Sequence, residues 1–103
     1  MNPLWRMAGA TAFILSCLAS SSARAADISP PVLAVSCTGC HGPDGVSPGA
    51  IPSIAKLDAA TMVAKMNEFK SGKSEATIMT RIAKGYTDAE IVALGAYFAA
   101  LPH

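Results

Sequence analysis

The chain has 103 residues, 51% of them hydrophobic, with 8 Lys or Arg against 7 Asp or Glu. That length caps the protein at one small globular domain. The near balance of charge leaves no basic excess to hold a nucleic-acid backbone and no polybasic face for an anionic membrane.

Arg6 precedes an apolar run from Met7 to Leu18, and small residues then lead to Ala23-Arg24-Ala25. This pattern predicts a secretory signal peptide over residues 1–25, cleaved after Ala25, with the mature domain at 26–103 and a periplasmic destination. Thr11, Ser16, Cys17 and Ser20 to Ser22 break the run before it reaches the about 20 apolar residues of a spanning helix, so no membrane span is expected after cleavage. Leu15 is bulky where a lipid-attachment site takes a small residue, so Cys17 is read as part of the leader. Arg6 and Arg24 would leave with it, turning the net charge of +1 slightly negative. A domain of fewer than about 80 residues seldom buries enough core to stand alone and needs a disulfide, a metal or a cofactor as a staple.

Ser29 and Pro30 suit a helix start, and the first helix is expected from about Pro31 into Cys40. Gly42 to Ser53 carries three Gly and three Pro, which predicts a loop long enough to wrap something. Asp58 can cap a second helix with Met62, Val63, Met66 and Phe69 at helical spacing, ending at Ser71-Gly72. Ser74 to Ile82 is mixed in character, and Lys84-Gly85 closes whatever turn forms there. Thr87 and Glu90 have the spacing of a capping box ahead of Ile91, Leu94, Phe98 and Leu101, a stripe that Pro102 closes. Gly95 inside that helix costs about 1 kcal/mol relative to Ala, which points to a close helix crossing. No strand alternation is visible, and the fold class is all-α.

The strong motif is Cys37-Thr38-Gly39-Cys40-His41, which reads as covalent haem attachment in an exported chain. Two thiols one helical turn apart can each add across a haem vinyl group, and the adjacent imidazole can reach the iron from the same side. A thioredoxin-type dithiol, half a zinc site and a haem-free structural disulfide are the rivals. The first lacks its strand-helix-strand context, and the second lacks another ligand pair. An electron-transfer haem needs a sixth ligand, commonly Met. Met62 and Met66 are in register with Phe69 and read as core, while His103 is terminal. Met79, in an irregular stretch between helices, is the candidate. The second nitrogen of His41 needs an acceptor, and Pro52 can offer its carbonyl. Lys56, Lys65, Lys70, Lys73 and Lys84 read as a dispersed solvated set, with a docking face as the alternative.

With Cys37 to Gly42, the Pro-rich loop, Met79-Thr80-Arg81-Ile82-Ala83-Lys84-Gly85-Tyr86-Thr87-Asp88 and a last helix ending Ala96 to Pro102, the mature chain resembles class I c-type cytochromes. Within that class, Phe69-Lys70-Ser71-Gly72 and Thr77 to Tyr86 are similar to the cytochrome subunit of flavocytochrome c sulfide dehydrogenase. The resemblance implies a class I cytochrome c fold around one covalent haem c. Cys37 and Cys40 would be the thioether residues, His41 and Met79 the axial ligands, and Pro52 the carbonyl facing His41. It also implies a flavoprotein partner whose FAD oxidises sulfide, a soluble electron acceptor, and no catalytic residue in this chain. The class crosses its first and last helices, which would set Val32, Leu33 and Val35 against Leu94, Tyr97 and Phe98. Gly95 departs from the larger residue common near that position. A freely diffusing single-haem carrier shares much of the pattern and is the alternative.

Overall fold

A computed structural model describes residues 27–102, so the expected signal peptide, its cleavage at Ala25 and the terminal His103 lie outside the described residues. Four helices follow in order: α1 at Pro30–His41, α2 at Ala59–Ser71, α3 at Met79–Ile82 and α4 at Asp88–Ala100, with 3-10 turns at Pro43–Gly45 and Ala83–Gly85. Among the described residues there is no strand, and no helix is long and apolar enough to cross a membrane.

Each helix is started by local chemistry. Pro30 opens α1, where a missing N–H costs nothing, and Val32 and Leu33 donate back to the Ser29 carbonyl. Asp58 caps α2 by accepting from the Thr61 N–H at 2.8 Å and from its hydroxyl at 2.7 Å. The Thr87–Glu90 capping box of α4 is complete, with Glu90 N–H on Thr87 Oγ1 at 3.2 Å and Thr87 N–H on Glu90 Oε2 at 2.8 Å. Thus the boundaries of α2 and α4 fall where the caps predict them.

The core gathers Leu33 and Ala34 of α1, Met62 and Met66 of α2, Ala83 of the second 3-10 turn, and Ile91, Leu94 and Phe98 of α4. The last three have no exposed surface, as the apolar stripe of α4 requires. One expectation is corrected by the packing of α1. Val32 and Val35 do not face α4: they are 61% and 67% exposed, whereas Leu33 and Ala34, at 8% and 1%, supply the inward face of α1. Three aliphatic residues within four positions do not define a face, and the rotation of the helix is set by what packs against it.

A Cβ at Gly95 would lie 2.9 Å from the Ala59 carbonyl oxygen and 3.0 Å from Val63 Cγ2. The close crossing predicted from Gly95 is made with α2. That contact seats the beginning of α2 on α4 and so fixes the helix that carries Met62 and Met66.

Candidate functional site: an apolar cleft between α1, α2 and α3

The motif residues Cys37, Cys40 and His41 occupy the last turns of α1. Directly after it the chain turns back on itself through Gly42 and Gly45, at φ 89° and 80°. A side chain is excluded at both: a Cβ on Gly42 would meet the Val46 carbonyl oxygen at 1.9 Å, and one on Gly45 would meet Ile54 Cγ1 at 2.9 Å. The Gly45 carbonyl then accepts from Ile54 and Ala55 N–H at 2.9 and 3.1 Å, closing the Pro-rich loop. Ser53 Oγ accepts from the Ser47 N–H at 2.8 Å across the same loop.

Loop closure brings Pro52 beside the end of α1, where His41 Nδ1 donates to its carbonyl at 2.5 Å. A carbonyl can only accept, so the proton of the neutral imidazole sits on Nδ1, and Nε2 carries the free lone pair that a metal would take.

His41 and Pro52 form part of a cleft of about 360 Å³ whose wall is completed by Cys37, Ser53, Ile54, Leu57, Met62, Lys65, Met66, Phe69 and Met79. Of the residues singled out in the sequence, Cys37, His41, Pro52 and Met79 therefore converge on one chamber. Cys40 is exposed on the same helix and is not part of the wall. Both motif thiols are free. Burial pushes the Cys37 thiol up from its ordinary range, with the Ser36 and Tyr86 hydroxyls opposing that in smaller measure.

Met79 does not sit in an irregular stretch, as expected, but is the first residue of α3. The local sequence from Ser74 to Thr77 is non-helical, and the helix begins only where Arg81 and Ile82 can donate back to the Ile78 carbonyl, at 2.9 and 3.1 Å. Met62 and Met66 are buried, as their spacing with Phe69 suggests, and the cleft wall is the surface they are buried against. Ile54, Leu57 and Lys65 were not foreseen as site residues. Ile54 and Leu57 lie between predicted elements, and Lys65 looked like one of several solvated lysines. Lys70 is not available for docking, since its ammonium is engaged by the Tyr86 carbonyl at 2.7 Å and by Asp88 at 2.9 Å. Among the described residues, no three His, Cys, Asp or Glu side chains gather as a metal cluster.

A family model for cytochrome c matches residues 31–102. The chain belongs to the cytochrome c family. It is 43% identical over 67 residues to the cytochrome subunit of sulfide dehydrogenase of Chlorobaculum tepidum, an alignment covering 65% of this chain and 61% of that protein. It is 32% identical over 109 aligned positions to the thiosulfate dehydrogenase electron acceptor of Stutzerimonas stutzeri, covering 95% of this chain and 48% of the relative. Cytochrome c-552 of Acidithiobacillus ferridurans is 32% identical over 65 residues, 63% of this chain and 28% of that one. The chain thus spans no more than 61% of the length of these relatives.

This cytochrome c has an all-helical domain, and membership of the family implies a covalently attached haem c. The cleft fits such a group. Its volume of about 360 Å³ lies within the about 300–1,000 Å³ of cofactor sites, and beside the motif residues its wall is apolar except for Ser53 and Lys65. The donor set suits iron: an imidazole whose Nδ1 is already engaged and the thioethers of Met62, Met66 and Met79 share the chamber, with a motif thiol beside them.

Proposed function

We propose that this cytochrome c carries one haem, joined to Cys37 and Cys40 by thioether bonds, with His41 and Met79 as its axial ligands. The observation that carries this reading is the convergence of Cys37, His41 and Met79 on one apolar cleft, with the Pro52 carbonyl holding His41 Nδ1. Haem c, when bound, supplies a reversible one-electron couple. His41 and Met79 would hold the iron and exclude small molecules, the apolar wall would keep water away, and the Pro52 carbonyl would fix the imidazole tautomer. An axial thioether and a low-dielectric surround both favour the less charged reduced centre and raise the reduction potential. No side chain of the cleft is required to act as acid or base.

The chain is exported to the periplasm under the leader at residues 1–25, and residues 26–103 form the haem domain. There it accepts electrons from a flavoprotein whose FAD oxidises sulfide and passes them to a soluble acceptor. The likeness to the Chlorobaculum tepidum subunit supports this assignment. Likeness to the Stutzerimonas stutzeri electron acceptor supports a second reading, a diffusing carrier that serves an oxidoreductase without stable assembly.

Co-purification separates the two readings. The subunit reading expects a flavin-containing partner to elute with this cytochrome and the haem to be reduced on adding sulfide. Elution as a monomer, with reduction only when a separate dehydrogenase is supplied, selects the carrier. The ligand assignment is tested by Met79→Ala, which should abolish the sulfur-to-iron charge-transfer band; a retained band rejects Met79.

A further inference from the structure

We infer that Tyr86 is a positioning residue for the axial pair, a phenol strap that fixes the segment bearing Met79 to the helix bearing His41. The inference rests on the reading of His41 and Met79 as ligands.

Met79 has a weak local hold. It opens a helix of only four residues, which runs into the 3-10 turn Ala83–Gly85. A helix this short has little stability of its own, so its position must come from tertiary anchors. The apolar anchors are the fully buried Ala83 and Met79 itself, which packs against the core. The polar one is Tyr86, the residue that ends the turn.

Tyr86 is gripped from three sides. Its N–H closes the turn onto the Ala83 carbonyl at 3.3 Å, and its own carbonyl accepts the Lys70 ammonium of α2 at 2.7 Å. Its phenol reaches α1, hydrogen-bonded with Ser36 Oγ and donating to the Leu33 carbonyl at 3.4 Å. Leu33 and Ser36 immediately precede the Cys37 to His41 motif on the same helix. Among the described residues, the hydrogen bonds that join the Met79–Tyr86 segment to α1 are all made by this phenol, which also acts on the Cys37 thiol. The distance between the two ligand carriers is therefore held on its polar side by one hydroxyl. Its contacts with Ser36 and Leu33 span 50 and 53 residues of chain.

Tyr86→Phe keeps the ring and removes that hydroxyl. Letting go of the phenol allows the Met79 segment to swing away from α1 more often, which opens the position that sulfur occupies. Imidazole, a ligand that competes only when the sulfur has left, measures this population directly. In the oxidised holoprotein, Tyr86→Phe should bind imidazole about five- to tenfold more tightly, the factor by which losing one hydrogen bond of ordinary net strength shifts an opening equilibrium. Ser36→Ala, which leaves the phenol its Leu33 contact, should shift affinity in the same direction by less. It should add little when combined with Tyr86→Phe, because both remove one shared contact.

A merely structural role for Tyr86 would lower the unfolding midpoint and leave imidazole affinity at the wild-type value, and that result overturns the inference. Should Tyr86→Phe fail to acquire haem, Ser36→Ala decides the question by the same titration. Met79→Ala in the unmodified background separates the two levels of the argument. A charge-transfer band that survives it defeats the ligand assignment, whereas a band lost with Met79→Ala but unchanged imidazole binding in Tyr86→Phe defeats only the strap.

Discussion

Gly95→Ala sets two effects of known sign against each other. Replacing glycine inside a helix by alanine favours the helix by about 1 kcal/mol. Here the new methyl would sit 2.9 Å from the Ala59 carbonyl oxygen and 3.0 Å from Val63 Cγ2. The first of these atoms is backbone and cannot rotate away, so α2 must shift as a body. Overpacking of this kind costs about 1–3 kcal/mol, and the net expectation is a loss of about 0–2 kcal/mol, centred near 1. For a domain of this size that centre corresponds to a melting temperature lower by about 4–8 °C. Gly39→Ala is the internal control, because it lies in α1 and a Cβ there meets nothing within 4 Å. It should gain up to about 1 kcal/mol from the same propensity term. Thermal unfolding of both holoproteins, followed by far-ultraviolet circular dichroism, makes the comparison. Equal stabilisation of the two variants would refute the reading of Gly95 as the point where α4 touches α2.

Two further outcomes follow from the caps. Thr87→Ala breaks the capping box of α4, whose inner face is the fully buried Ile91, Leu94 and Phe98, and should lower stability by about 1 kcal/mol in chemical denaturation. Asp58 gives a pH signature: the Thr61 N–H, and then its hydroxyl, hold the Asp58 carboxyl below its usual 3.8. Its contribution is therefore complete above pH 3.8 and is lost as pH falls through the lower folded value. Asp58→Asn should flatten that part of the acid limb, and an unchanged limb would show that the cap does not sense pH.

What could be read from the sequence is local. The Thr87–Glu90 box, the Asp58 cap and the Cys37 to His41 motif each act within one helical turn, so residue order alone specifies them. The need of an imidazole for an acceptor names a carbonyl such as that of Pro52, but only the closed loop brings it to His41. The features missed depend on distant partners. Nothing in Val32-Leu33-Ala34-Val35 tells which two residues turn inward until α4 is in place. Gly95 announced a crossing without naming the helix crossed. Ile54, Leu57 and Lys65 became site residues only when the loop closed on Gly45 and α2 came to lie beside it. The start of α3 at Met79 likewise depends on Ala83 and Tyr86, which anchor a segment whose own sequence is ambiguous.

The central claim is that the cleft between α1, α2 and α3 holds a haem attached through Cys37 and Cys40. The most direct measurement is the intact mass of the exported protein under denaturing conditions, taken with its absorption spectrum. The account predicts one added haem mass that survives denaturation, and its loss in the Cys37→Ser, Cys40→Ser double variant. A folded, colourless protein with the bare polypeptide mass would contradict it.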